Sequence, residues 1–249
     1  MVRKIAAMQP YLFPYLGYFQ LINAVDEFVL GDVLQYEKES WINRNRILVN
    51  GQIKLITFPL KKDGLAAPIK NRVFADTFNK EMPRLLKTIR LSYSRAPNFP
   101  EFYPLLQKIL LFPDNNLFNF TENSIREICR YVGISTPIRL ASSLDFPFQM
   151  EKQERVVRTV KALAGDMYVN PIGGMALYDS GTFERHGLQL RFHRMNTLSY
   201  AQFNYIFHPN LSIIDVLMFN SPTTLRPMLT QFSLFTGERR QPAELLTGS

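Results

Sequence analysis

Cysteine and histidine are both scarce in this sequence. Cys129 is the single cysteine among 249 residues, which excludes an internal disulfide framework and a cysteine metal site. The three histidines, His186, His193 and His208, are spaced too widely for a helical metal pair, so no metal centre is expected. No apolar run reaches the length a membrane helix needs, and membrane insertion is not expected. Arg3 and Lys4 precede an apolar stretch, but Gln9, Pro10 and Pro14 interrupt it, which argues against a signal peptide. Internal repeats, low-complexity tracts and a lysine-rich tail are missing too. These absences together predict a cytoplasmic protein.

Aromatic residues, in contrast, are abundant: 20 Phe and 11 Tyr beside one Trp. With 46% hydrophobic residues, the chain can bury a substantial core as one or two domains. The net charge is +8 and the pI about 9.6. That balance suits phosphate-bearing ligands, nucleotides or RNA, although the cations are scattered, as on an ordinary solvated surface.

The first thirty residues organise the rest. Ile5–Met8 reads as a buried strand, and Pro10 and Pro14 force a loop after it. Helical spacing follows from Leu16 to Ala24, closed by Asp26 and Glu27, and Phe28–Leu30 reads as a second buried strand. Strand, loop, helix and strand make a βαβ unit with parallel pairing. In such folds ligands sit at the carboxyl ends of the strands, which places Gln9 to Tyr18 at the expected site. Further on, Asn50-Gly51 between apolar runs predicts a hairpin of residues 46–49 and 52–59. Residues 68–73 read as a short edge strand or loop. Helices are expected over 77–91, 99–111 and 117–132, the third capped by Asn119 or Thr121 and closed by Gly133. Alternation then resumes: strands at 137–140, 167–169 and 188–192, and helices at 151–163, near 175–186 and at 212–219. The reading is an α/β fold with a doubly wound, Rossmann-like parallel sheet. Its core domain spans 1–75 and 135–236, with a helical insertion at 76–134 and a loose polar tail at 237–249.

Several residues fit phosphate or carboxylate chemistry. Lys61 and Lys62 follow a strand and supply cations, and Arg44 and Arg46 suit bidentate anion contacts. Asp32, just past the second strand, suits an amine or Mg²⁺. Lys152 and Arg155 share a helix face, and Asn170, Gly173 and Gly174 form a glycine-bearing turn before a helix. His193, after a strand, and His208, before a helix, are candidate general bases. Asp215 faces the site or stabilises its helix start. Each also has an ordinary role open to it: a solvated turn for the lysines, ion pairs with Glu37 or Glu39 for the arginines, packing for Tyr15 and Tyr18.

The order of strand, proline loop, helix, Asp-Glu and strand resembles the nucleotidylyltransferase and adenylate-forming (HUP) superfamily. Tyr15-x-Gly17-Tyr18 stands where that superfamily has His-x-Gly-His. Tyrosine hydroxyls hydrogen-bond phosphate but carry no positive charge. A second resemblance covers nearly the whole chain. Met8-Gln9-Pro10-Tyr11-x-Phe13-Pro14-Tyr15-x-Gly17-Tyr18-Phe19-Gln20, Trp41-Ile42-Asn43-Arg44-Asn45-Arg46-Ile47, Phe58-Pro59-Leu60-Lys61-Lys62 and Pro209-Asn210-Leu211-Ser212-Ile213-Ile214-Asp215 resemble, in order, four signature stretches of the WbqC-like family. Two positions depart from it: Gly31 precedes Asp32 where two aspartates are usual, and 170–174 replaces a serine-glycine-proline type loop. The resemblance implies a role in surface polysaccharide biosynthesis: transfer of a glycine-like amino acid or another acyl group to the amine of a nucleotide-linked amino sugar. Tested against that chemistry, the candidate contacts are Asn43, Arg44, Asn45 and Arg46, with Gln9, Pro10, Tyr15, Gly17 and Tyr18 as the cradle and Asp32, Lys61, Lys62 and His193 nearest the chemistry. The implied partners are a nucleotide or nucleotide sugar and a donor on a carrier protein or tRNA, with ATP and Mg²⁺ as the cofactors such activation would use. A nucleotidylyltransferase-like enzyme and a non-catalytic binding module are the alternatives.

Overall fold

The computed structural model of the chain describes residues 1–64, 67–203 and 206–236. The tail expected over 237–249 lies outside them. β1 (Lys4–Met8) leads through the proline loop into α1 (Leu16–Asn23) and on to β2 (Glu27–Leu30). β1 and β2 pair in parallel from Ile5 opposite Glu27 to Met8 opposite Leu30. Glu27 thus opens a strand rather than closing the helix, and Arg3 and Arg139 neutralise its buried carboxylate.

A long crossover follows. β3 (Arg44–Val49) and β4 (Gln52–Thr57) form a separate antiparallel hairpin. Asn50 and Gly51 turn it with φ of 50° and 76°, the left-handed pair that Asn-Gly accommodates. Residues 68–73 form a single 3-10 turn at Ile69–Asn71. Then come α2 (Phe78–Tyr93), α3 (Phe99–Leu110) and α4 (Leu117–Val132). Asn116, rather than Asn119 or Thr121, caps α4 by accepting the Phe118 and Asn119 amides, and Gly133 ends it in the left-handed region.

β5 (Ile138–Leu140), α5 (Lys152–Ala162) and β6 (Met167–Pro171) resume the alternation. The helix expected near 175–186 is instead a 3-10 stretch, Ile172–Leu177, and a short α6 (Ser180–Arg185). The break falls at Tyr178, which is extended, and at Asp179, whose carboxylate caps α6 by accepting the Gly181 and Thr182 amides. β7 (Gln189–Met195) and α7 (Ile213–Phe219) match expectation. α8 (Pro222–Met228) and β8 (Phe232–Thr236) were not foreseen.

The six-stranded sheet runs β5-β2-β1-β6-β7-β8. Five strands are parallel, and β8 adds an antiparallel edge against β7. Chain order reverses direction between β1 and β6, the switch point where a doubly wound sheet opens a crevice. Helices cover both faces. Ala6, Phe28, Met167 and Val169 face the larger core, which takes in α1–α4, α7 and α8. Ile5, Val29, Tyr168, Leu190 and Phe192 face a smaller core against α5 and α6. α1 is buried on every side, so even Gln20 is enclosed, its amide donating to the Met228 and Gln231 carbonyls. Interlocked rings of Phe13, Phe58, Phe74, Phe78 and Phe120 join the opening loop, the end of the hairpin, α2 and α4. No described helix is long and apolar enough to cross a membrane.

Candidate functional site

A cavity of about 690 Å³ opens at the switch point, on the face covered by α5. Its floor is the ends of four parallel strands: Ala7 and Met8 of β1, Val29 beside Gly31 of β2, Ala141 after β5, and Tyr168 and Asn170 of β6. Ala7, Gly31 and Ala141 are small, which leaves room above the sheet. Gln9, Tyr11 and Tyr15 form the wall from the opening loop, and Gly173, Gly174 and Tyr178 the wall from the loop after β6. Lys152, Arg155 and Thr159 come from one face of α5, and Glu37 is the one carboxylate on the lining.

Glycines set the shape of these walls. A Cβ at Gly17 would overlap the Tyr15 ring, one at Gly31 the Leu34 side chain, and one at Gly174 the Asn170 amide. Tyr15, Leu34 and Asn170 all line the cavity. Three glycines therefore hold three lining side chains in place by yielding space to them.

The polar groups differ in how far they are already satisfied. Asn170 is committed: its oxygen accepts from the Tyr168 hydroxyl and its amide donates to the Pro171 carbonyl. Gln9 donates to Glu37 at 3.3 Å. Arg155 makes one weak bond, to the Phe148 carbonyl at 3.3 Å, and has no carboxylate in ion-pair reach among the described residues. The Lys152 ammonium and the Tyr15 hydroxyl have no hydrogen bond or ion pair to a described residue. Burial raises the pKa of Tyr15, and burial with the nearby Glu37 charge raises that of Tyr11. Both phenols are therefore neutral donors at pH 7. The N-terminus of α5 is not open to a ligand, because the Glu151 carboxylate accepts the Gln153 and Glu154 amides and is held below the usual carboxylate range by those bonds.

Seven of the residues singled out in the sequence meet here: Gln9, Tyr15, Lys152, Arg155, Asn170, Gly173 and Gly174. The others do not line the cavity, and each has a physical reason. Asp32 is 2% exposed and accepts the Ser142 amide, tying the end of β2 to the turn after β5. Tyr18 is buried in α1, and its hydroxyl donates to the Gln9 carbonyl, so it shapes the loop from beneath. Pro10 is buried, and Gly17 acts through Tyr15. Lys61 pairs with Asp76 at 2.8 Å, and Lys62 is exposed beside it. Asn43 holds the Phe58 carbonyl and so ties the two ends of the hairpin together, and Asn45 holds the Leu12 and Phe13 carbonyls and so rivets the hairpin to the opening loop. Arg44 and Arg46 project from the opposite side of that strand and make no ion pair with Glu37 or Glu39. Arg44 instead donates to the Glu39 carbonyl. His193 lies inside β7 at 3% exposure, its ring tilted against Phe232, and burial lowers its pKa to about 4. A base that weak, off the cavity, is not placed for proton transfer there. Asp215 is enclosed in α7, accepting from Tyr93, Tyr200 and Gln202, and burial raises its pKa.

Sequence reasoning covered Tyr11 only within the Gln9 to Tyr18 loop and did not single out Glu37, Thr159, Tyr168 or Tyr178 as lining residues. Tyr168 reads as an apolar strand residue in sequence, and only the sheet order brings its face under the cavity. Glu37 carried a signal, as an acid shortly after the second strand.

The sequence model of the WbqC-like protein family matches residues 9–227. The chain belongs to the WbqC-like family. Both loops and the α5 face that line the cavity fall within the matched span. A relative in Mycobacterium tuberculosis, the uncharacterized protein Rv1507c, is 31% identical over 218 residues, 87% of this WbqC-like chain and 93% of that protein. No solved structure matches the chain.

Among the described residues no group of three or more His, Cys, Asp or Glu side chains is placed to hold a metal. Mg²⁺ carried on nucleotide phosphates needs only one or two protein carboxylates, and Glu37 is the one this cavity offers.

Proposed function

We propose that the cavity binds a nucleotide-linked amino sugar and that the chain transfers an activated amino-acid or other acyl group to its amine, in the cytoplasm, in surface polysaccharide biosynthesis. The observation that carries this reading is the pair of cations on α5, Lys152 and Arg155, with no carboxylate of a described residue within 4 Å of either, at the switch-point crevice of a doubly wound sheet. A diphosphate is the ligand such a pair meets best, because guanidinium and ammonium groups give charge-assisted bonds to phosphate oxygens. The volume of about 690 Å³ lies within the range of small-molecule sites. The family's association with polysaccharide gene clusters supplies the amino-sugar class.

The roles divide by chemistry. Arg155 and Lys152 hold phosphate oxygens. Gln9 orients the sugar, and Glu37 accepts a hydrogen bond from its amine. In the transfer, the amine nitrogen bonds to the acyl carbon, the bond from that carbon to the activating group breaks and the group leaves with its electron pair, and the nitrogen gives up one proton to the Glu37 carboxylate that accepts its hydrogen bond. The Tyr15 hydroxyl, a neutral donor, is suited to the acyl oxygen as negative charge gathers there.

Thermal unfolding with ligand tests the binding half. A ligand present at about 100 times its Kd stabilises the fold by about 2.7 kcal/mol. A nucleotide diphosphate amino sugar is expected to raise Tm, and Arg155→Ala with Lys152→Ala to abolish most of the rise. Mass-spectrometric detection of an amide product with an activated glycine tests the chemistry. Pyrophosphate release from ATP without amide formation would favour a nucleotidylyltransferase-like enzyme. No shift with any nucleotide or nucleotide sugar would overturn the proposal.

A further inference from the structure

The β3–β4 hairpin carries a second surface that the cavity does not use. Cross-strand register puts Arg44 opposite Thr57, Arg46 opposite Leu55 and Leu48 opposite Ile53. Directly opposite residues share a face, and alternate residues along a strand do too. One face therefore holds Arg44, Arg46, Leu48, Ile53, Leu55 and Thr57. The other holds Asn45, Ile47 and Ile56, which are buried against the protein. This explains the alternating Asn-Arg-Asn-Arg run: Asn43 bonds inward to the Phe58 carbonyl and Asn45 to the opening loop, and the arginines lie on the other face.

Leu48 is closed off at 2% exposure, so the open part of this face lies along β4 and beside the two half-buried arginines. Ile53 is 44% and Leu55 48% exposed. Trp41, the single tryptophan of the chain, is 39% exposed and lies beneath the Arg46 guanidinium, 5.2 Å from ring centroid to Cζ. Neither arginine has a carboxylate within 4 Å among the described residues. The protein partners they do have are carbonyls: Glu39 for Arg44, and Asn210 at 3.5 Å for Arg46. Both Nε atoms are buried without a hydrogen-bond partner. Two uncompensated guanidiniums stand two residues apart on one strand, a spacing of about 6.6 Å along it. An exposed indole and two aliphatic side chains adjoin them, on a chain of net charge +8.

We infer that this hairpin face binds single-stranded nucleic acid. The argument is chemical complementarity. Backbone phosphates supply the charge the two arginines lack, and unpaired bases supply flat apolar faces for Trp41 and the Leu55–Ile53 ridge. An acidic protein would match the charge but not the exposed, arginine-stacked aromatic. A second copy of the chain would match the apolar ridge but bring four arginines together. The inference does not rest on the transferase reading, since none of these residues lines the cavity.

The lone tryptophan makes the test direct, because its fluorescence reports this face. The probe is a fluorescently labelled 12-mer of mixed-sequence RNA, with the matching single-stranded DNA as a second arm, titrated by both tryptophan quenching and anisotropy. Quenching with a binding isotherm is expected. The slope of log K against log salt should shrink by about 1.4 when both arginines become glutamine, because each neutralised phosphate on a single strand contributes about 0.7. Leu55→Glu is a second variant at a solvent-facing position; it sets a carboxylate opposite Arg46 and is expected to weaken binding at least tenfold without lowering Tm. Equal affinity for RNA and DNA assigns recognition to phosphate and base faces, and preference for RNA assigns part of it to the 2′-hydroxyl; either supports the inference. Absence of binding at 50 mM salt, unchanged binding by the arginine and Leu55 variants, or equal quenching by polyglutamate would overturn it.

Discussion

Gly17 sits against the Tyr15 ring so closely that any side chain there would overlap it. Tyr15 is the extended residue before α1, and no side chain caps that helix start. Its ring folds back over the first turn, where Gly17 yields, and its hydroxyl is left beside the cavity. The Tyr-x-Gly spacing is thus a steric device, and it leads to a measurement.

Gly17→Ala should lower stability by about 1–2 kcal/mol. Overpacking costs about 1–3 kcal/mol, and the better helix propensity of alanine returns up to about 1. Tyr15→Ala in the same chain removes the ring that clashes. The double variant should therefore be more stable than the sum of the two single effects predicts, by at least about 1 kcal/mol in a denaturant double-mutant cycle. Additive effects would show that the glycine serves the backbone and not the tyrosine.

His193 gives the fold a sensitivity to acid. Burial holds its pKa near 4 against an ordinary value near 6.5. A base whose folded pKa is depressed contributes stability above the unfolded value and loses it as pH falls toward the folded one. Over pH 6.5 to 4 the loss reaches about 3 kcal/mol. His193→Leu removes the titrating group and the unpartnered Nε2. Urea unfolding at pH 7 and pH 5 should show a smaller drop for the variant than for the wild type. Asp215 works in the opposite direction: its raised pKa favours the fold below the ordinary carboxylate value and withdraws that support as pH rises through the folded one. Asp215→Asn therefore serves as the control of opposite sign. Identical pH slopes in wild type and His193→Leu would contradict the buried, neutral histidine.

Local signals in the sequence were strong where one residue type has one conformational use. Asn50-Gly51 specified its turn, Gly133 its left-handed helix end, and the apolar spacing of α2, α3 and α4 their extents to within a few residues. The opening βαβ unit followed from its prolines and apolar runs, and that unit placed the cavity loop. Long-range choices were less legible. Asp32 and Lys61 each follow a strand, but one is consumed by the Ser142 amide and the other by Asp76, partners that sequence spacing does not announce. β8 escaped notice because Phe232–Thr236 pairs through its backbone with β7 while most of its side chains stay exposed, which leaves a weak hydrophobic pattern. Tyr168 read as part of a buried strand and Tyr18 as a cradle residue. Only sheet order makes the first a wall of the cavity and the second a support under the loop.

The two glycines after β6 look equivalent in sequence and are not. A Cβ on Gly174 would overlap the Asn170 amide, whose oxygen holds the Tyr168 hydroxyl. Nothing lies within 4 Å of a Cβ on Gly173, which faces the open cavity with no positive φ to strain. Gly174→Ala should displace Asn170 and cost about 1–3 kcal/mol of stability, because the Asn170 side chain gives up its bonds with the Tyr168 hydroxyl and the Pro171 carbonyl. Gly173→Ala should leave stability unchanged or raise it by up to about 1 kcal/mol through the unfolded chain. Its effect belongs to the ligand. If a phosphate-bearing molecule approaches the backbone of this loop, the added methyl at Gly173 stands in its way, and the ligand-induced rise in Tm should shrink while the Tm of the free protein does not. A full ligand response in Gly173→Ala would move the bound molecule away from this wall, toward Arg155 and the opening loop.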